Sequence, residues 1–444
     1  MMRWLDSLFT TDAMRRVLSD RGRLQGMLYF EAALARAQAR AGLVPGAAVG
    51  PIESQCRAEL YDLEELARAT ALAGNTAIPV VKALTERVAR SDADASRWVH
   101  WGATSQDAMD TGLMLQLRDA AALLDADLAR VADALARLAL AHKRTLMAGR
   151  TLLLQAQPIT FGLKAAAWLD AVERDRARLR EWRARGLAVQ LGGAVGTLAA
   201  LGPSGMSIAA ALAEELGLAC PVLPWHAQRD RVAEAATTLG LLVGTLGKIA
   251  RDLALMMQTE VGEAFEPDQP GRGGSSSLPH KRNPVGCATV LAAAARVPAL
   301  VSIMLSAMVQ EHERGLGDWH AEWDTLPEIC ALAGGATAQL AHVLEHLEVD
   351  AGRMRRNLDA TGGQIYAGTV AASLAPHVGA LPAQRLVADG CRRAVAEGRH
   401  LRDVLRDVAE VRAHVPDLDR LFDPAHAIGL AEAEVDRVLA NRSR

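Results

Sequence analysis

The spacing of apolar residues between Val232 and Met256 constrains this chain more than any other feature. Val232, Ala235, Leu239, Leu242, Leu246, Ile249, Leu253 and Met256 follow one another in alternating steps of three and four, and no proline occurs from Gln228 to Glu266. That period puts one continuous stripe on a helix roughly 50 Å long at ~1.5 Å per residue. A second stripe repeats it through Leu117, Ala121, Leu124, Leu128, Val131, Leu135, Leu138 and His142. Gly240, Gly244 and Gly247 lie inside the first stripe, where each costs about 1 kcal/mol relative to alanine, so close approach of another helix is expected to offset them. Aromatic residues make up only 4% of the chain, which favours packed helices over sheets, and the fold class read here is all-α. Helices this uniformly small or apolar bury more than one face, and a second copy of the chain is the simplest partner, so a homo-oligomer is expected.

With 444 residues, 50% of them hydrophobic, the chain can build two or three domains. Boundaries are placed after Asp107 and near Val349-Asp350, giving an N-terminal helical domain (1–107), a central long-helix bundle (108–349) and a C-terminal helical domain (350–444). A net charge of −3 without long charge runs gives no footprint for nucleic acid or an anionic membrane. The five cysteines, Cys56, Cys220, Cys287, Cys330 and Cys391, are far apart and read as reduced core residues. The first nine residues lack the apolar core of a secretory signal, and the most apolar window, 291–309, carries Arg296 and Pro298, which fits a helix buried in protein. The expectation is a cytoplasmic protein with no membrane span.

Chemistry concentrates in the loop 271–284, Gly-Arg-Gly-Gly-Ser-Ser-Ser-Leu-Pro-His-Lys-Arg-Asn-Pro. Gly271, Gly273 and Gly274 free the front half, while Pro279 and Pro284 stiffen the chain around Lys281 and Asn283. Composition alone would also suit a flexible linker. A phosphate-cradling loop is discounted, because the glycine-lysine-serine/threonine ending is missing and no strand leads into it. The segment 99–107, Val-His-Trp-Gly-Ala-Thr-Ser-Gln-Asp, puts two hydroxyls at a helix start, where they serve as a cap or bind a carboxylate. His312 and His320, with Glu313 and Glu322, fit no helical metal spacing, and neither a metal nor a cofactor is expected.

Residues 274–284 resemble the signature loop of the fumarase/aspartase superfamily, with Leu278 where that family has methionine. The 99–107 segment is similar to its His-x-Gly-Ala-Thr-Ser element, and 149–158 to its Gly-Arg-Thr-His-x-Gln element. Residues 225–230 and 312–323 complete a likeness that covers essentially the whole chain. The resemblance implies a three-domain all-α fold with a central bundle, a homotetramer and active sites shared between subunits. It implies that Ser275 removes a proton beside a carboxylate, supported by Lys281 and Asn283. Thr104, Ser105, Gln228 and Arg314, with His100 and Thr151 from the same segments, are carried over as substrate-binding; a guanidinium such as Arg314 suits a carboxylate because it pairs bidentately.

One departure is informative. Leu152 occupies the position of the family histidine that protonates a leaving amine or hydroxide, and Leu154 that of the glutamine. A leaving carboxylate, whose conjugate acid has a pKa of about 4, departs as an anion without that proton. The wording of these segments and of 75–79 resembles most the bacterial 3-carboxy-cis,cis-muconate cycloisomerases. The implied reaction is addition of a carboxylate to a conjugated diene within a small tricarboxylate, giving carboxymuconolactone in protocatechuate degradation without a cofactor. An adenylosuccinate lyase-like amine elimination and a non-catalytic helical scaffold are the alternatives. Whether Ser275 or Ser276 is the base, and what replaces the missing histidine, stay open at the level of sequence.

Overall fold

A computed structural model describes residues 4–442, so the first three residues of the N-terminal segment lie outside the described residues. Among the described residues the fold is all-α apart from four short strands, and its long helices include Ser105–Ala141, Phe161–Gly186, Asp230–Met256, Val285–Ser306 and Asp318–Glu345. All eight residues of the Val232–Met256 stripe are buried. In the other stripe Leu117 through Leu135 are buried, while Leu138 and His142 are half-buried as that helix ends at Ala141. The glycine expectation holds at two of three positions. A Cβ on Gly240 would sit 3.0 Å from Val301 and one on Gly247 2.7 Å from Ala294, whereas Gly244 faces open space.

Two features differ from the sequence expectation. The Asp230–Met256 helix has 27 residues, about 40 Å, not the ~50 Å read from the absence of proline. It stops because Gly262 at φ +58° turns the chain and the Glu263 N–H returns to the Met256 carbonyl at 2.9 Å. Of the cysteines, Cys56, Cys287 and Cys330 are buried, but Cys391 is half-buried and Cys220 exposed, so the core reading fails for those two.

The chain divides into two compact units along its long helices. The first comprises Met1–Leu128, Asp175–Gly247 and Thr289–Gln339; the second comprises Ala129–Arg174, Lys248–Ala288 and Leu340–Arg444. The first unit's core includes Leu24, Leu28, Phe30 and Leu34 of the Asp20–Arg40 helix, with Leu84 and Val88, Ile208 and Leu212. The second unit's core runs through Leu358, Tyr366, Val370, Leu374, Leu401 and Val404, and takes in Ala148 of a β-hairpin. In that hairpin β1 (Leu146–Thr151) pairs antiparallel with β2 (Leu154–Thr160), and a second antiparallel pair joins β3 (Ala264–Phe265) to β4 (Glu348–Val349).

Candidate active site

In the first unit the Ser105–Ala141 helix starts on a capping arrangement that also organises a polar cluster. Asp107 reaches back to the Thr104 N–H at 2.9 Å, satisfying a free donor of the first turn. The same buried carboxylate accepts from the Gly192 and Gly193 N–H groups at 3.0 Å each and lies 2.7 Å from His226 Nε2. Asp107 is therefore the cap, and the Thr104 and Ser105 hydroxyls are left for other partners. Ser105 Oγ accepts from the Asn75 amide at 3.3 Å, and Thr104 Oγ1 from Arg314 Nη1 at 3.3 Å.

Arg314 donates further from Nε to Gln106 Oε1 at 3.0 Å and from Nη2 to the Ala194 carbonyl at 3.0 Å. Those bonds use three of a guanidinium's five N–H donors, leaving one on each Nη for a carboxylate. His100 has a left-handed backbone, φ +57°, and its Nδ1 lies 2.6 Å from the buried Glu31 carboxylate. Burial pulls its imidazole down, but the Glu31 charge and hydrogen bond, with Asp107 behind them, override that and hold it above its ordinary 6.5. Gln228 is exposed in the loop that leads into the Asp230–Met256 helix.

Within the second unit the signature loop is tied at both ends. Asn283 donates from its backbone N–H to the Gly273 carbonyl at 2.8 Å and from its side-chain amide to the same oxygen at 2.9 Å. Its amide is thus engaged in joining the loop's two limbs. Gly273 allows this because its φ is +67° and a Cβ there would lie 2.6 Å from the Asn283 carbonyl. Arg282 grips the loop from outside, pairing with Glu348 of β4 at 2.8 Å and lying over Phe265 of β3. Glu266 accepts from the Gly286 and Cys287 N–H groups, capping the Val285–Ser306 helix, and holds Arg272 at 3.1 Å.

Half-buried Ser275 receives the Leu278 N–H at 3.1 Å and the Ser277 N–H at 3.4 Å on its Oγ. Two N–H dipoles aimed at one hydroxyl oxygen favour its anion. Lys281 is exposed on the same loop, as is Ser276. The Thr151 position is exposed at the end of β1, next to a two-residue turn formed by Leu152 (φ +50°) and Leu153 (φ +69°). Leu152 is 96% exposed, with Leu153 and Leu154 also exposed beside it. Arg150 anchors this tip by a bidentate pair with the buried Glu263, at 2.7 and 2.8 Å.

The predicted residues accordingly fall into two groups. Thr104, Ser105 and Arg314 are brought together with Asn75 in the first unit, where His100 and Gln228 also lie; Ser275, Lys281, Asn283 and Thr151 belong to the second. Sequence reasoning missed Glu31, Gln106, the Asp107–His226 pair and a buried Arg229–Asp110–Glu322 cluster. A signal existed for part of this: Gln106, Asp107 and Asp110 are polar residues on successive turns of a helix that is otherwise largely apolar.

The lyase family pattern matches residues 8–299, and the adenylosuccinate lyase C-terminus pattern matches residues 363–438. A 3-carboxy-cis,cis-muconate cycloisomerase of Pseudomonas aeruginosa is 59% identical over 98% of this chain and 95% of its own length. A nitrosuccinate lyase of Streptomyces davaonensis is 45% identical over 96% and 92%. The crystal structure of the 3-carboxy-cis,cis-muconate lactonizing enzyme from Pseudomonas putida superposes with a TM-score of 0.94 at 56% identity, covering 100% of this chain and 99% of that one. The chain belongs to the lyase family, the fumarase/aspartase superfamily, in company with its 3-carboxy-cis,cis-muconate cycloisomerases.

Proposed function

We propose that this enzyme interconverts 3-carboxy-cis,cis-muconate and its lactone. In cyclisation a substrate carboxylate oxygen bonds to the conjugated diene, the displaced electron pair moves onto a second carboxylate as an enolate, and carbon then takes a proton from the Ser275 hydroxyl. Ring opening reverses these steps, with the Ser275 anion removing the proton beside the carboxylate. The N–H groups of Ser277 and Leu278 and the Lys281 ammonium lower the cost of that anion, while Asn283 keeps the loop in the shape that aims them. Thr104, Ser105 and Arg314 provide a carboxylate subsite, with His100, Gln228 and Thr151 as further substrate contacts. The chemistry consists of one C–O bond made or broken and one proton transferred to or from carbon, and it calls for no cofactor.

The observation that carries this reading is Leu152. The hairpin turn, where relatives that expel an amine supply a proton, presents Leu152, Leu153 and Leu154, with only the Thr151 hydroxyl beside them. Expulsion of a carboxylate needs no such donor. Nitrosuccinate elimination also releases the anion of an acid, and the test includes it for that reason. The test is a spectrophotometric assay of diene loss from 3-carboxy-cis,cis-muconate, run beside adenylosuccinate, argininosuccinate and nitrosuccinate. Efficient turnover of any of the other three without diene loss overturns the assignment, and no turnover of any substrate returns the scaffold reading.

The same reading extends to assembly and setting. We infer a cytoplasmic homotetramer acting in protocatechuate degradation, with sites shared between subunits and with the three-part division at 107 and 349. Exposed apolar surface supports the assembly. The Val285–Ser306 helix is long and apolar enough to cross a membrane by length and composition, and only 28% of its most apolar stretch is buried within the chain. Arg296 and Pro298 inside it favour packing against copies of this protein over lipid.

A further inference from the structure

Four polar side chains of the first unit that touch none of the proposed reacting atoms are buried almost completely: Gln106, Asp110, Arg229 and Glu322, each at most 2% exposed. Arg229 is held fork to fork by Asp110, Nη1 to Oδ2 at 2.8 Å and Nη2 to Oδ1 at 3.0 Å. Its other edge is taken by Glu322, with Nε 3.0 Å from Oε1 and Nη2 2.6 Å from Oε2, and its Cζ lies 5.0 Å from the centre of the Trp225 ring. A buried ion cluster of this kind stabilises no better than apolar packing of equal volume, so its presence calls for a reason other than stability.

Gln106 supplies that reason. Its Nε2 donates to Asp110 Oδ2 at 3.1 Å and to the His226 carbonyl at 2.9 Å. Both partners only accept, so the amide has one allowed orientation, and that orientation turns Oε1 toward Arg314 Nε. Flipping the amide would set its NH2 against the guanidinium and its oxygen against the Asp110 carboxylate. At the far end of the cluster, Glu322 Oε1 accepts from Gln310 Nε2 at 3.2 Å. The Gln310 side chain packs against Gly315, where an added Cβ would lie 2.6 Å from Gln310 Oε1. Arg314 is thereby gripped in front by Gln106, while its neighbour Gly315 is backed by Gln310.

We infer that Gln106, Asp110, Arg229 and Glu322 form a buried relay that presets the Arg314 guanidinium for a substrate carboxylate, which makes Gln106 and Asp110 positioning residues for substrate recognition. This rests on the reading of Arg314 as a carboxylate contact. A guanidinium ordered before substrate arrives loses less freedom on binding, so the relay acts on affinity and leaves the proton transfer at Ser275 alone.

The test compares Gln106→Met, Asp110→Asn, their double variant and Arg314→Met in the full-length protein. Steady-state kinetics are read on 3-carboxy-cis,cis-muconate, and calorimetric binding on tricarballylate, an unreactive tricarboxylate. Gln106→Met and Asp110→Asn are each expected to raise KM and weaken tricarballylate at least tenfold with kcat within threefold. The double variant should be no weaker than the worse single, because both break one chain. Gln106→Met removes no charge and keeps the side-chain length, so it remains informative if Asp110→Asn does not fold. Wild-type binding by Gln106→Met together with a loss in Arg314→Met overturns the relay while leaving the Arg314 reading intact. Wild-type binding by Arg314→Met removes that reading and the relay with it. Additive losses, with kcat falling alongside affinity, assign these side chains to structure and also overturn the proposal.

Discussion

Ser275 is half-buried where Ser276 and Ser277 are exposed, and two backbone N–H groups converge on its oxygen. A hydroxyl is a weak base until its anion is stabilised, and those donors supply part of that stabilisation before substrate arrives. Ser275→Ala is expected to lower kcat by roughly 10²–10⁴-fold with substrate affinity nearly unchanged, as single-turnover kinetics and tricarballylate calorimetry will read. Activity within tenfold of wild type would move the base role to Ser276. His100 sets a second test. The folded protein holds its proton to higher pH than the unfolded chain does, so this group's contribution to stability is fully present below 6.5 and fades as pH rises through the folded value. In Glu31→Gln the nearer carboxylate is gone and burial outweighs the smaller pull of Asp107, so His100 is drawn down. The gap in denaturation midpoint between wild type and Glu31→Gln should therefore be larger at pH 6 than at pH 9, and a gap independent of pH would show that His100 is not held charged.

The loop and the hairpin place their chemistry by opposite means. The loop is fastened, through Asn283 to Gly273, Arg282 to Glu348 and Arg272 to Glu266, and yet its tip is exposed. Gly273→Ala forces a side chain into a left-handed backbone against the Asn283 carbonyl, a strain of order 1–3 kcal/mol. Its expected effect is a fall in kcat with the melting temperature of the helical core unchanged, and normal kcat would mean that the loop's shape is unimportant. Trypsin should cut after Lys281 in the free enzyme and be slowed by tricarballylate; equal cleavage in both states counts against closure over substrate. The hairpin instead carries two consecutive left-handed leucines, a turn for which asparagine and glycine are the usual choices. Each of these exposed leucines holds a backbone conformation that costs of order 1–3 kcal/mol.

At the scale of the whole molecule, the Val285–Ser306 helix leaves most of its apolar stretch unburied within the chain. Ile303 and Leu305 are exposed on a helix whose inner face already meets Gly240 and Gly247. Introducing charge there, as Ile303→Glu with Leu305→Glu, should convert a tetramer into smaller species by light scattering and abolish activity. A fully active monomer would refute shared sites. Mixing and reassembling Ser275→Ala with Arg314→Met should restore up to about a quarter of wild-type activity if the two side chains reach a site from different subunits, because one random pairing in four carries both intact groups.

The sequence alone settled what depends on local order. Period fixed the buried stripes at Val232–Met256 and Leu117–Leu135, since a helix returns every third or fourth residue to one face. Loop composition singled out 271–284, and the matching segments identified the superfamily. Only tertiary structure decided which charges meet. His100 and Glu31 are 69 residues apart, His226 and Asp107 119, and Arg229 and Glu322 93. Each pairing brings a turn or loop residue, His100, His226 or Arg229, against a helix, and where such a loop lands depends on the shape of the whole core, which no short-range pattern encodes. The helix stop at Met256 was hidden for a related reason. Nothing in its own sequence forbids another turn, and the chain turns there to bring Glu263 to Arg150 and, through its backbone carbonyl, to the Asp350 N–H, partners more than eighty residues away.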